Sequence, residues 1–135
     1  MKKQVPLQRL AAVVAAAAIF SAISPVYAAG EASQPMTNGK HEFENKCAMC
    51  HAVEPSKGTI VGPNLFGVYG RKVGKFPGFS YSSTLRSSSA TWDAATLDAF
   101  LKSPQTAMPG TAMPFSGIKG DPDRAALIDY LKSLH

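Results

Sequence analysis

The densest apolar block of the chain lies at its start. From Leu10 to Ile23 nearly every position is Ala, Val, Ile, Leu or Phe. Lys2, Lys3 and Arg9 precede this block, and Pro25-Val26-Tyr27-Ala28 follows it. A positive start, a short apolar run and a small-residue end make residues 1–28 a secretory signal peptide, cleaved after Ala28. A retained membrane anchor is the rival reading. Against it, the run is Ala-rich, shorter than the roughly 20 residues a span needs, and interrupted by Ser and Pro. Residues 29–38 are small and polar and read as a flexible leader to a domain over 39–135.

Beyond the leader the apolar positions turn periodic. Phe43, Cys47 and Cys50 recur at helical spacing, which predicts a first helix from a cap at Thr37 or Asn38 to about Cys50. A second helix is expected from near Thr91, with Trp92, Thr96, Leu97, Phe100 and Leu101 as its buried stripe. Ser103-Pro104 ends or breaks it. The last helix starts with Asp121 as N-cap and Pro122 in the first turn, and buries Leu127, Ile128, Leu131 and Leu134. Lys132 near its end suits the helix dipole. No strand pattern and no internal repeat stand out, so the chain is expected to be mostly α.

Residues 52–91 are rich in Gly, Pro and Ser, yet Ile60, Val61, Leu65, Phe66, Val68, Tyr69, Phe76, Phe79 and Tyr81 run through them. A linker of that length is unusual in a small domain, and a disordered tail carries fewer large apolar groups. The pattern predicts a long ordered loop wrapped over something apolar that the chain does not itself supply.

Composition narrows the classes. The full chain has 135 residues and a formal net charge of +5. Loss of Lys2, Lys3 and Arg9 with the signal lowers that charge to +2, over the 107 residues from Ala29 to His135. This is one domain's worth of chain. No Lys/Arg cluster remains that could form a phosphate-binding face, so nucleic acid is not an expected partner. The chain has two cysteines. Both, Cys47 and Cys50, lie in the exported part, where disulfides can persist. A disulfide between them would close a tiny loop and add little stability, so chemistry or attachment is the better role.

Cys47-Ala48-Met49-Cys50-His51 supplies that role. Cys-x-x-Cys-His is the attachment signature of c-type haem. Two thiols three positions apart reach the two vinyl groups on one porphyrin edge, and the following His51 is held against the iron as proximal ligand. Its Nδ1–H is left to donate to a backbone carbonyl, which fixes the ring and tunes the metal. The rivals are a redox dithiol and half a zinc site. The first lacks its βαβ surroundings, and the second lacks a convincing set of four ligands.

A second axial ligand must come from the opposite side of the haem. Met36, Met49, Met108, Met113, His41 and His135 are the candidates. Met49 lies within the attachment loop, and Met36 and His41 belong to the proximal segment. Met108 and Met113 share the Pro/Gly-rich stretch after the second helix, and spacing does not choose between them.

From about Gly39 to Leu134 the sequence resembles the family of mitochondrial cytochrome c and bacterial cytochrome c2. The resemblance is an ordered set of motifs. Gly39 and Phe43 resemble the first-helix pair that meets the last helix near Tyr130. Gly62-Pro63-Asn64-Leu65 follows the attachment motif at the family's distance, which implies that the Pro63 carbonyl accepts the His51 Nδ1 proton. Gly70-Arg71 and Pro77-Gly78-Phe79-Ser80-Tyr81 resemble the family's propionate loop, and Trp92 falls at its tryptophan. The resemblance implies that Arg71, Tyr81 and Trp92 hold the haem propionates. Pro109-Gly110-Thr111-Ala112-Met113-Pro114-Phe115 resembles the segment that supplies the methionine ligand, which implies Met113 as sixth ligand and Met108 as packing.

The implied fold is all-α, with three to five helices and long loops around one covalent haem c held through Cys47 and Cys50. The implied protein is a soluble, monomeric one-electron carrier of the periplasm, and not an enzyme. It would serve a quinol-oxidising complex, an oxidase, a reaction centre or a dehydrogenase, with no stable membrane insertion after signal cleavage. The sequence departs from the family where Phe100 and Leu85 stand in place of a common tyrosine and asparagine, which predicts a drier distal pocket. Lys46, Lys57 and Lys119 are plausible remnants of the family's basic ring, but Gln105 and Ala112 stand where relatives are often basic.

Overall fold

The computed structural model describes residues 34–135, so the signal-peptide expectation and residues 29–33 lie outside the described residues. The elements in chain order are α1 (Gln34–Lys46), α2 (Ser83–Ser87), α3 (Ala94–Lys102), α4 (Pro104–Ala107) and α5 (Asp121–Ser133). Among the described residues there is no sheet, only an isolated antiparallel bridge between Lys72 and Thr91. None of these helices is long and apolar enough to cross a membrane. The all-α expectation is met.

The two terminal helices form the main joint. Gly39 makes it possible, because a Cβ there would overlap the carbonyl oxygen of Ala126 and lie 2.7 Å from the Tyr130 Cβ. One turn later the Phe43 ring meets Tyr130, centroids 5.7 Å apart and tilted by 48°. Behind this pair Leu127 is fully buried and Leu131 nearly so. Burying one such leucine is worth about 1.5–3 kcal/mol. Helix α3 lies against the same α5, which gathers Leu97, Phe100 and Leu101 into a core shared with Leu127, Ile128 and Leu131.

Several helix ends differ from expectation. Residues 34–38 belong to α1, so the helix begins before Thr37. It ends at Lys46, and Cys47 to Cys50 form a turn beyond it. Thr91 does not cap α3. It is held in the bridge to Lys72, and the Trp92 amide donates to the Arg71 carbonyl at 2.9 Å. The cap is Asp93, whose carboxylate accepts from the Thr96 amide at 2.8 Å. Ser103 is both the C-cap of α3 and the N-cap of α4, with Pro104 in the first turn. That is the break expected at Ser103-Pro104.

At α5 the N-cap is Gly120, and Asp121 is already helical. The Asp121 carboxylate has another task, because it accepts from Arg124 at 2.8 Å. Arg124 is only 3% exposed. It also donates to Asp98 on α3 at 2.6 Å and to the Ile118 carbonyl at 3.0 Å. A buried guanidinium needs such partners for its donors, and here they tie α5 to α3 and to the segment between them.

Candidate cofactor site

The turn after α1 carries the attachment residues. The Cys47 amide continues the helical pattern to the Phe43 carbonyl at 2.8 Å, and the Cys50 and His51 amides both donate back to Cys47 at 2.9 Å. Both cysteines are free; Cys47 is buried and Cys50 half-buried. Burial, aided by the Glu42 carboxylate, pushes the Cys47 thiol up to about 11, so it stays protonated at neutral pH. Three residues apart on one turn, the two sulfurs suit attachment to one edge of a planar group.

His51 is buried, and its Nδ1 donates to the Pro63 carbonyl at 2.7 Å. That carbonyl can only accept, so Nδ1 bears the proton. The lone pair is then on Nε2, which has no hydrogen-bond partner among the described residues. Burial lowers the imidazole pKa, and the Pro63 bond opposes that only in part. A neutral ring with one nitrogen anchored and the other free is the form that binds a metal. Gly62 leaves the room this needs. A Cβ there would lie 2.7 Å from His51 Nδ1, while the Gly62 amide closes onto the Cys50 carbonyl at 2.8 Å.

Asn64 organises the loop beneath, a role the sequence reading did not assign. It is 2% exposed. Its amide donates to the Glu54 carbonyl at 2.8 Å and to that of Lys57, while its side-chain oxygen accepts from the Phe66 amide at 2.8 Å. Its own carbonyl takes a 3.0 Å bond from Arg71, which donates a second to Phe66 at 3.2 Å. Arg71 also lies over the Phe76 ring, 5.0 Å from its centroid. Burial lowers the Arg71 pKa and the neighbouring Tyr81 raises it; burial likewise raises that of the Tyr81 phenol. Tyr81 is buried edge-on to Phe79 at 4.7 Å, and Trp92 is buried edge-on to Phe100 at 5.0 Å.

Next to Tyr81, the Ser82 hydroxyl is buried with no hydrogen-bond partner. Sequence reading passed over it, since one serine among many carries no signal. An orphaned buried hydroxyl costs free energy unless something absent from the protein chain meets it.

The six candidates for a second axial ligand separate by position. Met49 is 85% exposed and Met36 is on the surface of α1. His41 pairs with Asn45, and His135 hydrogen-bonds the Lys132 carbonyl. Met108 and Met113 alone of the six lie against the core cluster. Their segment is fastened at both ends. Thr84 of α2 donates to the Pro109 carbonyl at 2.7 Å, and Gln105 donates to the carbonyl of the buried Thr111 at 2.8 Å.

The three expected basic-ring lysines are all engaged. Lys46 pairs with Glu42 at 3.3 Å, Lys57 with Glu54 at 2.6 Å, and Lys119 donates to the Lys102 carbonyl at 2.9 Å. Among the described residues no three His, Cys, Asp or Glu side chains converge to hold a bare metal ion. Free paired thiols, a one-sided histidine and an orphaned hydroxyl all fit a covalently attached haem.

The fold and this site define a class I c-type cytochrome. Residues 36–135 match the family model described as cytochrome c. The chain is 42% identical over 124 residues to a cytochrome c2 of Rhodomicrobium vannielii, covering 92% of this chain and 94% of that one. It is 49% identical over 88 residues to cytochrome c2 iso-2 of Magnetospirillum fulvum, covering 65% and 91%. To the cytochrome c of Sesamum indicum it is 43% identical over 95 residues, covering 70% and 86%. The chain belongs to the cytochrome c family. It is an electron carrier with covalently attached haem c, and not a catalyst.

Proposed function

We propose that the chain is a periplasmic one-electron shuttle. In this reading Cys47 and Cys50 bind the haem as thioethers, and His51 and Met113 are the axial ligands. The observation that carries it is the His51–Pro63 bond at 2.7 Å, which leaves Nε2 free one residue beyond the second thiol. Bound haem c supplies a reversible Fe(III)/Fe(II) couple. The protein's part is to hold both axial positions, exclude water and keep ligands still between oxidation states.

Each residue has a separate task. Pro63 fixes the His51 ring and raises its basicity as a ligand. Arg71, Tyr81 and Trp92 would meet the propionates, joined by the orphaned Ser82 hydroxyl. Acid groups beneath protein need such donors. Met113 is taken over Met108 on the resemblance of Pro109–Phe115 to the family's ligand segment, and the Met113 amide on the Thr111 hydroxyl at 3.4 Å supports an ordered presentation. Methionine in place of a second histidine favours the reduced state.

The signal-like residues 1–28 support export to the periplasm. The partners would be larger redox proteins there: a quinol-oxidising complex, an oxidase, a reaction centre or a dehydrogenase, met by a monomeric carrier.

Visible spectroscopy of the purified holoprotein, with and without carbon monoxide, tests the ligation. The wild type and Met108→Ala should give sharp low-spin ferrous spectra that ignore carbon monoxide, with a weak far-red sulfur-to-iron band when oxidised. Met113→Ala should lose that band and bind the gas. Carbon monoxide binding by the wild type would overturn the shuttle reading in favour of a ligand-binding haem protein.

A further inference from the structure

Between Glu54 and Asp93 the chain has no acidic residue, yet it carries Lys57, Arg71, Lys72, Lys75 and Arg86. Lys57 pairs back to Glu54 at 2.6 Å. The other four pair with no carboxylate among the described residues. Arg71 is spent on the Asn64 and Phe66 carbonyls. Lys72, Lys75 and Arg86 are exposed. Lys72 and Arg86 are fourteen positions apart, so the sequence shows no cluster here. The fold makes one.

Residues 72–75 run beside residues 85–91. Lys72 bridges Thr91, and the Val73 amide donates to the Ala90 carbonyl at 3.0 Å. Gly74 passes so close to α2 that a Cβ would overlap the Leu85 carbonyl. All three cations are then anchored on carbonyls. Lys72 Nζ donates to Ser89 at 3.2 Å, Lys75 Nζ to Arg86 at 2.8 Å, and Arg86 Nη1 to Tyr81 at 2.6 Å. A carbonyl fixes the place of a cation but leaves its charge uncancelled. Each ammonium keeps two donors, and the guanidinium keeps Nε and Nη2, without protein partners.

Neighbouring elements supply no cancelling charge. The groove where α2 faces α3 and α4 is lined by uncharged residues, among them Ser87, Ser88, Thr96, Ala99 and Met108. Asp93, beside the Thr91 bridge, is engaged as a cap on the Thr96 amide at 2.8 Å. Three positive groups on a preset frame, one of them a planar fork, suit an anion with several acceptor oxygens.

We propose that Lys72, Lys75 and Arg86 form a binding site for a phosphate-type oxyanion, supplied by free phosphate or by a lipid headgroup. The site goes beyond the shuttle reading and does not require it. Its link to the haem is the bond from Arg86 to Tyr81, one of the residues proposed to meet the propionates. A bound anion adds negative charge on that side of the cofactor. It should bind the ferric protein about threefold more tightly than the ferrous one. By linkage, saturation should lower the midpoint potential by about 28 mV, at 59 mV per tenfold for one electron.

The test titrates the holoprotein with sodium phosphate at constant ionic strength, held with NaCl. Binding is read from backbone amide NMR shifts, and the midpoint potential is measured alongside. Wild type should show one saturable site of about millimolar affinity, with shifts centred on residues 72–75 and 86–89. Lys72→Gln/Lys75→Gln/Arg86→Gln should bind at least about tenfold more weakly and hold its potential constant. Lys72→Gln alone leaves the Arg86–Tyr81 tie in place, so it decides the matter if the triple variant does not fold. It should bind about threefold more weakly.

Flotation of wild type, but not of a variant, with phosphatidylglycerol vesicles and not with phosphatidylcholine vesicles would identify a headgroup as the source. Saturation by phosphate without flotation identifies the free ion. Shifts that grow without saturation, or that persist unchanged in the variants, overturn the proposal and reduce the effect to ionic screening. A potential that phosphate lowers equally in wild type and variants does the same, because the anion then acts elsewhere.

Discussion

Gly39 and Ala126 touch so closely that there is no space for a side chain between them. Alanine at position 39 should raise helix propensity by about 1 kcal/mol. It must also push α5 away from α1, and overpacking of this kind costs about 1–3 kcal/mol. Because the obstacle is backbone, the cost should win. Gly39→Ala is expected to be less stable than wild type in guanidinium unfolding of the ferric holoprotein, followed by Trp92 fluorescence. Equal or greater stability would show that the joint slides to make room.

Gly62→Ala addresses His51, the proposed proximal ligand. Here the obstacle is the His51 ring, so the ring rather than a helix must move. Turning it weakens the bond from Nδ1 to Pro63 and tilts Nε2 from the direction the iron requires. Loss of an outer partner of a metal ligand costs about 10–100-fold in affinity or activity. Electron exchange should slow by at least about tenfold, with a shifted midpoint potential. An unchanged potential and spectrum would mean that Pro63 does not set the ring's orientation.

Leu85 is buried beside Gly74, whose Cβ, if it had one, would overlap the Leu85 carbonyl. Asparagine at this position should destabilise the protein. The change removes apolar area and buries an amide in an apolar cluster. Leu85→Asn should cost about 2–4 kcal/mol in denaturant unfolding. The double variant Leu85→Asn/Phe100→Tyr should regain part of that loss if the two positions face one pocket. Strict additivity would place them in separate environments.

The Arg124 cluster predicts a pH signature. The Asp121 carboxyl is held below its usual value chiefly by its hydrogen bond from Arg124, then by the charges of Arg124 and Lys102. A depressed folded pKa gives stability that is fully present above the unfolded value of about 3.9 and is lost as pH falls through the folded one. Arg124→Gln should therefore lower the melting temperature most near neutral pH. The gap to wild type should narrow below about pH 4. A gap independent of pH would mean that Arg124 stabilises only through its carbonyl contacts.

The parts of this protein legible in its sequence are those with local or ordered signals. The cysteine pair and His51 are read from five adjacent residues, and the α1–α5 joint from Gly39, Phe43 and Tyr130. The stripes of α3 and α5 follow from helical spacing. Helix ends are harder, because Thr91 and Asp93 are both good caps by composition. What decides between them is the bridge to Lys72, nineteen positions before Thr91 in sequence. Helix α2 is short and serine-rich, and local preference does not announce it. It is held by burial of Leu85 and by the Ser87 hydroxyl on the Ser83 carbonyl. The burial of Arg124 is not legible in the last helix alone, because it depends on Asp98, 26 positions earlier on α3.

The contact of Gly39 with Ala126 also has a topological meaning. It closes a ring from position 39 to position 126, and every residue proposed to hold the haem is inside that ring. Closing a flexible loop of this size costs about 4 kcal/mol beyond a constant term. Such distant pairing raises contact order, which slows folding. Thioether bonds at Cys47 and Cys50 fix the cofactor near one end of the ring, so the remaining arc need only fold over a group already in place. The joint is the clasp of that arc, and damage to it should loosen the haem's enclosure from a distance, with no haem-binding residue changed.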